Sequence, residues 1–190
     1  MFKREETAVV LDFLPQGKSG EARKEPVGQV LGEEYFTLLE VVAKPGVKLS
    51  PGEQTYIGRE ERDKIDHIRG RILFHDLTSA AQRECESQVR RIVLAREAAF
   101  VNFLNRSDAL NIRVHTLELL PSIGKRHLES ILAAREQKPF ENFADVRTRV
   151  SSIGHVEDIF VSRIIEELAG DSKYYLFTKA PARDHDERRW

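Results

Sequence analysis

LELLPSIGKRHLESILAAREQKPFENFADV, residues 117–146, is the stretch on which the reading of this chain turns. Thr116 stands ready to cap a short helix over Leu117–Leu120, and Pro121 stops it. Ser122-Ile123-Gly124 is then a tight turn, and a helix over Lys125–Gln137 follows at once, with Leu128, Ile131 and Leu132 on one face. After Pro139, Phe140 and Phe143 are apolar anchors, and Asn142 with Asp145 three residues on is a capping-box variant for the next helix. A helix that starts at Lys125 presents backbone N–H groups without intrahelical partners, at the positive end of its dipole. Gly124 puts no Cβ in the way of an approaching phosphate, and Lys125 and Arg126 add charge beside the amides. Two readings are open: a plain helix–helix corner that packs without binding, or a turn that would hold a nucleic-acid backbone without reading its bases.

The pattern has an echo in VSSIGHVEDIFVSRIIEEL, residues 150–168. Ser152-Ile153-Gly154 repeats Ser122-Ile123-Gly124 ahead of a helix over Val156–Ala169, but His155, Glu157 and Asp158 replace the two basic residues. Carboxylates there compete with phosphate, so a structural role in a compact helical unit is expected. Phe143–Ser151 supplies the helix in between.

Upstream, the period changes. From Ala81 to Leu104, apolar residues recur at three- and four-residue spacing, which predicts one amphipathic helix over 80–104 with Ser79 as its cap. Its arginines are interleaved with Glu84, Glu86 and Glu97, the mark of a solvated face. Before it come β signals: Thr7–Leu14, one or two strands within Gln29–Ala43, and Thr55–Ile57. Asp63–Arg71 is strand or helix, and Ile72–Phe74 is extended. Lys44-Pro45-Gly46 and Pro51-Gly52 are turns. So many short strands within 75 residues imply a small barrel or curled sheet. PQGKSGEARKEPVG, residues 15–28, is a loop with three basic residues, either a solvated hairpin connection or a loop that touches a polyanion. Lys173–Thr178, KYYLFT, is expected to be a strand returning to the N-terminal sheet, because an isolated aromatic strand needs a partner. A charged tail closes the chain at 180–190.

Composition narrows the function classes. The 190 residues are 41% hydrophobic and 32% charged, which excludes a disordered or collagen-like chain. The formal net charge of -1 means that any claim of nucleic-acid binding rests on how charges are sorted onto faces. A single cysteine, Cys85, excludes an internal disulfide and argues against a cysteine-built zinc or iron–sulfur site; it sits on an apolar stripe without a histidine partner. The N-terminus has no signal-length apolar core, and no apolar run suits a membrane span, so a cytoplasmic protein with no membrane partner is expected. Gly17-Lys18-Ser19 imitates the end of a P-loop, but Asp12 stands where the motif needs glycine. Asp63, Asp66, His67, His75 and Asp76 have no metal-ligand spacing. No metal, cofactor or catalytic set is expected, and the reading favours a binding protein over an enzyme.

Residues 117–146 resemble the helix-hairpin-helix motif of DNA- and RNA-binding proteins, with Ser122 where that motif usually has glycine. The serine either strains the turn or offers its hydroxyl to a phosphate. The chain as a whole is similar to the archaeal-type family of uncharacterised proteins DUF655. The likeness lies in the first strand ending Leu14-Pro15-Gln16-Gly17, EYFTLLEV at 34–41, Tyr56-Ile57-Gly58, the hairpin, and KYYLFT at 173–178. The resemblance implies an α+β protein: a small OB-like β-barrel domain over residues 1–79 completed by strand 173–178, a bridging helix and linker over 80–110, an all-α helix-hairpin-helix domain over 111–170, and a C-terminal strand and tail over 171–190. It implies nucleic-acid binding, RNA ahead of DNA, through Ser122, Ile123, Gly124, Lys125 and Arg126. On an OB-like face, aromatics would stack bases and cations would hold phosphates. Tyr56, Arg59, Arg69 and Arg71 are the candidates there; Tyr35, Lys44, Lys48 and Arg62 are further ones, and Phe36 fits the core better. The alternatives are a protein-interaction adaptor in a ribosomal or transcriptional assembly, and a nucleic-acid-processing enzyme with a diffuse acidic site.

Overall fold

The computed structural model describes residues 4–22, 24–170 and 172–180. The expected tail beyond Ala180 therefore lies outside the described residues, as does Arg23 of the basic loop. The chain divides into two compact units. The first takes the chain up to Gln88 and resumes at Glu166; the second is Val89–Ile165.

The first unit is a curled, fully antiparallel half-barrel, OB-like in form. Its strands are β1 (Thr7–Leu14), β2 (Val27–Gly32), β3 (Leu38–Ala43), β4 (Gln54–Tyr56) and β5 (Ile65–Arg71), in the order β4-β1-β2-β3-β5. The register slips between Val10 and Asp12 of β1 and twice along β3–β5, and such bulges tighten the twist of a sheet. β4 and β5 form the two edges, and the Lys64–Glu53 ion pair (3.3 Å) joins the residues that precede them.

Ala8, Val10, Val30, Val41, Ala43, Leu49, Ile57 and Ile65 form one core cluster of this unit. The alternate residues Val9, Leu11, Leu31 and Val42 are buried too. β2 is buried at all six positions, so alternation of apolar and polar residues is weak in the central strands. The buried Gln29 shows how the second face is organised. Its amide donates to the Asp76 carbonyl at 3.0 Å and accepts from the Thr78 N–H at 2.9 Å. This seats the entry to α1 (Ser79–Ala95) on β2, and the Thr78 hydroxyl then caps the helix by accepting from the Ala81 N–H at 3.0 Å.

The helix expected over 80–104 is two helices: α1 and α2 (Glu97–Arg106), separated at Arg96 without proline or glycine. The segment at Asp63–Arg71 resolves as strand β5, while Phe74–Asp76 is one turn of 3-10 helix.

The second unit is helical. A 3-10 turn at Thr116–Leu119 leads to α3 (Lys125–Gln137), α4 (Phe143–Arg149) and α5 (Val156–Ala169), which runs on into the first unit. Phe160 is its keystone: fully buried, with the rings of Phe100, Phe143 and Phe103 at 4.9, 5.9 and 6.1 Å.

Lys173–Thr178 is not a strand. The N–H groups of Leu176, Phe177 and Thr178 all donate to the carboxylate of Glu167, at 2.7, 3.0 and 2.9 Å, and the Thr178 hydroxyl adds a fourth bond at 3.1 Å. In a strand, successive N–H groups point to opposite sides. Three that converge on one carboxylate require a bent backbone, so the aromatic run is held by an acid of α5 and not by a sheet edge.

Candidate nucleic-acid interface

The turn between the 3-10 helix and α3 is built from the inside out. His115 starts it: its Nδ1 accepts the Leu117 N–H at 3.1 Å, while Glu118 accepts the His115 N–H at 2.8 Å. Burial, with Arg135 nearby, pulls the His115 ring below its ordinary pKa and favours the neutral form that this bond needs. Leu117, Leu120 and Ile123 are buried and pin both arms. The chain then reverses at Ser122, which sits in the left-handed region at φ 65°. The His127 Nδ1–H donates to the Ser122 carbonyl at 2.9 Å and ties the turn to the first turn of α3.

Gly124 precedes α3 with extended backbone, φ -89° and ψ -179°, so no left-handed conformation demands glycine there. A Cβ at Gly124 would meet nothing within 4 Å among the described residues. The glycine leaves open the space in front of the helix. Leu128 makes the first intrahelical bond, to the Gly124 carbonyl at 2.9 Å, which leaves the N–H groups of Lys125, Arg126 and His127 at the open end. Ser122, Gly124, Lys125 and Arg126 are all exposed, and neither basic side chain has an ion pair among the described residues.

The other helix starts in this unit differ. Asn142 caps α4 by accepting the Asp145 N–H at 2.8 Å, and Asp145 accepts the Glu141 N–H at 3.1 Å, which holds its carboxyl below the usual range. At α5, Glu157 and Asp158 occupy the first turn, and Arg147 (3.2 Å) and Arg90 neutralise them. Ser152 repeats the left-handed conformation at φ 62°, but Gly154 is now at φ 74° and the helix begins one residue later than in the first turn. The two Ser-Ile-Gly turns are thus alike in sequence and opposite in polarity at the helix that follows.

A serine at φ 65° carries a cost of about 1–2 kcal/mol, partly offset in Ser122→Gly by the greater unfolded-state freedom of glycine, about 0.4–1 kcal/mol. Ser122→Gly should therefore stabilise the protein by ~0.5 kcal/mol in urea melts. A destabilised variant would mean that the serine hydroxyl supports the turn.

The four candidates on the β unit are divided between its two edge strands. Tyr56 and Arg59 belong to the β4 edge, and Arg69 and Arg71 to β5, with three strands between. Tyr56 is half-buried; its hydroxyl donates to Glu6 at 3.1 Å and accepts the Glu60 N–H at 3.3 Å. A Cβ at Gly58 would lie 2.2 Å from both the Tyr56 hydroxyl and the Glu6 carboxylate, the ends of two side chains that would have to move. Arg59 is exposed. Arg69 forks onto Glu21 (3.1 and 3.0 Å), with Glu25 and Glu40 at 3.7 and 3.8 Å, while Lys18 pairs with Glu40. The hydrogen bond raises Arg69 and lowers Glu21, so the loop after β1 is tied down by its acids and its lysine, and Arg69 is spent on it. Arg71 donates to the carbonyls of Ala180 (2.9 Å) and Lys179. Phe36 is buried. The capture of both arginines escaped sequence reasoning, because their partners lie 48 and 109 residues away along the chain.

Among the described residues no cluster of histidine, cysteine and acidic groups suits a metal ion, and no helix is long and apolar enough to cross a membrane. Cys85 is buried, and burial pushes its thiol up to about 12, away from nucleophilic use.

The family model for DUF655, a protein of unknown function, matches residues 4–179. The uncharacterized protein MJ0038 of Methanocaldococcus jannaschii is 42% identical over 179 residues, which cover 93% of this chain and 81% of that protein. The crystal structure of Af1531 from Archaeoglobus fulgidus, described by the same family model, superposes with a TM-score of 0.85 at 40% identity, covering 92% of this chain and all of that one. A match across nearly the whole length, in sequence and in fold, makes this chain a member of the DUF655 family.

Proposed function

We propose that this protein binds the backbone of nucleic acid without reading its sequence, and that the Ser122–Gly124 turn and the start of α3 form a helix-hairpin-helix phosphate anchor. One observation carries the proposal: α3 begins with open N–H groups, an unfilled space before Gly124, and exposed Lys125 and Arg126, where α4 and α5 begin with carboxylates. Backbone amides at a helix start favour an anion, and two cations beside them strengthen the attraction. Arg59 is an additional exposed cation on the β unit. The family resemblance puts RNA first; the turn itself offers nothing that separates ribose from deoxyribose.

The test is fluorescence anisotropy with labelled single-stranded RNA, duplex RNA, and single- and double-stranded DNA of two unrelated sequences each, from low to moderate salt. Affinity should be nearly independent of sequence. Log K should fall linearly with log salt, by about 0.7 per phosphate held on single strands and about 0.9 on duplex. No salt-dependent binding to any of the four overturns the proposal. That outcome would favour the adaptor reading, for which the observation is the fully exposed Ile112 at the tip of a tight turn, flanked by exposed Leu110.

A further inference from the structure

The surroundings of the chain change between Thr178 and Lys179. Glu167 is 1% exposed and holds Leu176, Phe177 and Thr178 from within; Thr178 is buried, whereas Lys179 and Ala180 are exposed. Arg71 and Tyr35 both touch this outer pair. The Arg71 guanidinium donates through Nη1 to the Ala180 carbonyl at 2.9 Å and through Nη2 to the Lys179 carbonyl, and the Lys179 ammonium lies 5.3 Å from the centre of the Tyr35 ring. Arg71 ends β5, an edge strand, and Tyr35 lies in the β2–β3 connection.

The chemistry of these contacts matches that of a foreign ligand. A guanidinium fork across two oxygens is the way arginine receives a phosphodiester, and charged oxygens bind it more strongly than neutral carbonyls do. The face of a tyrosine that accepts an ammonium also accepts a base.

We propose that Lys179–Ala180 is an internal occupant of a second nucleic-acid subsite, made of Arg71 for a phosphate and Tyr35 for a base, and that binding there requires the segment to swing aside beyond Thr178. This rests on the nucleic-acid reading above. The Glu167 clamp stays closed, because the change begins one residue after its last bond. The segment competes with the ligand and lowers its affinity, which makes the contact autoinhibitory.

The test compares the full-length wild type, Lys179→Gly and Lys179→Gly/Arg71→Ala, with a labelled single-stranded RNA oligonucleotide as the probe. Lys179→Gly removes the ammonium from Tyr35 and should tighten binding about two- to fivefold, the range that one exposed cation–aromatic pair carries. The added Arg71→Ala should abolish that gain. A second readout uses the wild type: tryptic cleavage after Lys179, followed by mass spectrometry, should be slow in the free protein and accelerate as oligonucleotide is added. Binding with unchanged cleavage at Lys179, or with equal or weaker affinity in Lys179→Gly, overturns the latch and leaves the α3 anchor standing. No binding by either the wild type or Lys179→Gly overturns both.

Discussion

Reversing the two charges at the start of α3, in Lys125→Glu/Arg126→Glu, should weaken nucleic-acid binding by about two orders of magnitude while leaving the fold intact. Removing a cation from a charge-assisted bond with phosphate costs roughly 1.5–3 kcal/mol, and the lower end of that range at each of the two exposed positions gives that scale. The stability side has the opposite sign. Carboxylates in the first turn interact favourably with the helix dipole, by about 0.3–1 kcal/mol each at exposed positions. The Lys125 and Arg126 side chains are both exposed. The melting temperature should therefore hold or rise slightly. The salt slope should shrink by about one unit for each phosphate that is no longer neutralised, and the drop in affinity should be equal across sequences. Unchanged affinity and slope would remove the anchor; a drop confined to one sequence would show base reading in place of backbone holding. Because the variant keeps its fold, weaker binding has no trivial explanation in unfolding.

The largest effect on stability is expected at Glu167. In Glu167→Ala the three N–H groups of Leu176, Phe177 and Thr178 and the Thr178 hydroxyl are deprived of their shared acceptor at once. Hydrogen bonds to a charged group contribute about 1.5–3 kcal/mol each, but the segment can peel into water and recover part of that, so the net destabilisation should be ~3 kcal/mol. Glu167→Gln should rescue little. Its single carbonyl oxygen cannot serve all four donors, and its amide adds two further donors to a place that needs only acceptors. Urea melts of the three proteins measure the order, with wild type well above Gln and Gln near Ala. A Gln variant close to wild type would show that the charge contributes nothing and that packing alone holds the segment.

Local signals carried the sequence reading where structure is local. α3, α5 and β1 begin and end at the expected residues, because each is bounded by a nearby turn or proline and has a clear apolar stripe or β-rich run. The sheet emerged as a curled OB-like half-barrel, as the density of short strands implied. Other features depend on partners far along the chain. KYYLFT has every mark of a strand by residue preference, yet its backbone donors go to a carboxylate that sequence alone would count as one more charged helix residue. The arginines of β5 are free cations on paper; Glu21, Glu25 and Glu40 claim one of them and main-chain carbonyls the other. The break at Arg96 has no proline or glycine to announce it. At the candidate site, the residue types, the helix start and the acid at the start of α4 were legible, whereas the left-handed conformation of Ser122 was settled only by the backbone.

The open edges of the half-barrel bear on solubility. An unpaired strand edge is a template on which a second chain can add itself and begin a fibril. Here β4 is three residues long, too short to offer a stable register. β5 is longer, but Asp66, Arg69 and Arg71 load it with charge, and its pairing with β3 is broken by two bulges that twist it away from a flat template. A sheet that never closes into a full barrel is thereby protected against growing by strand addition from either side.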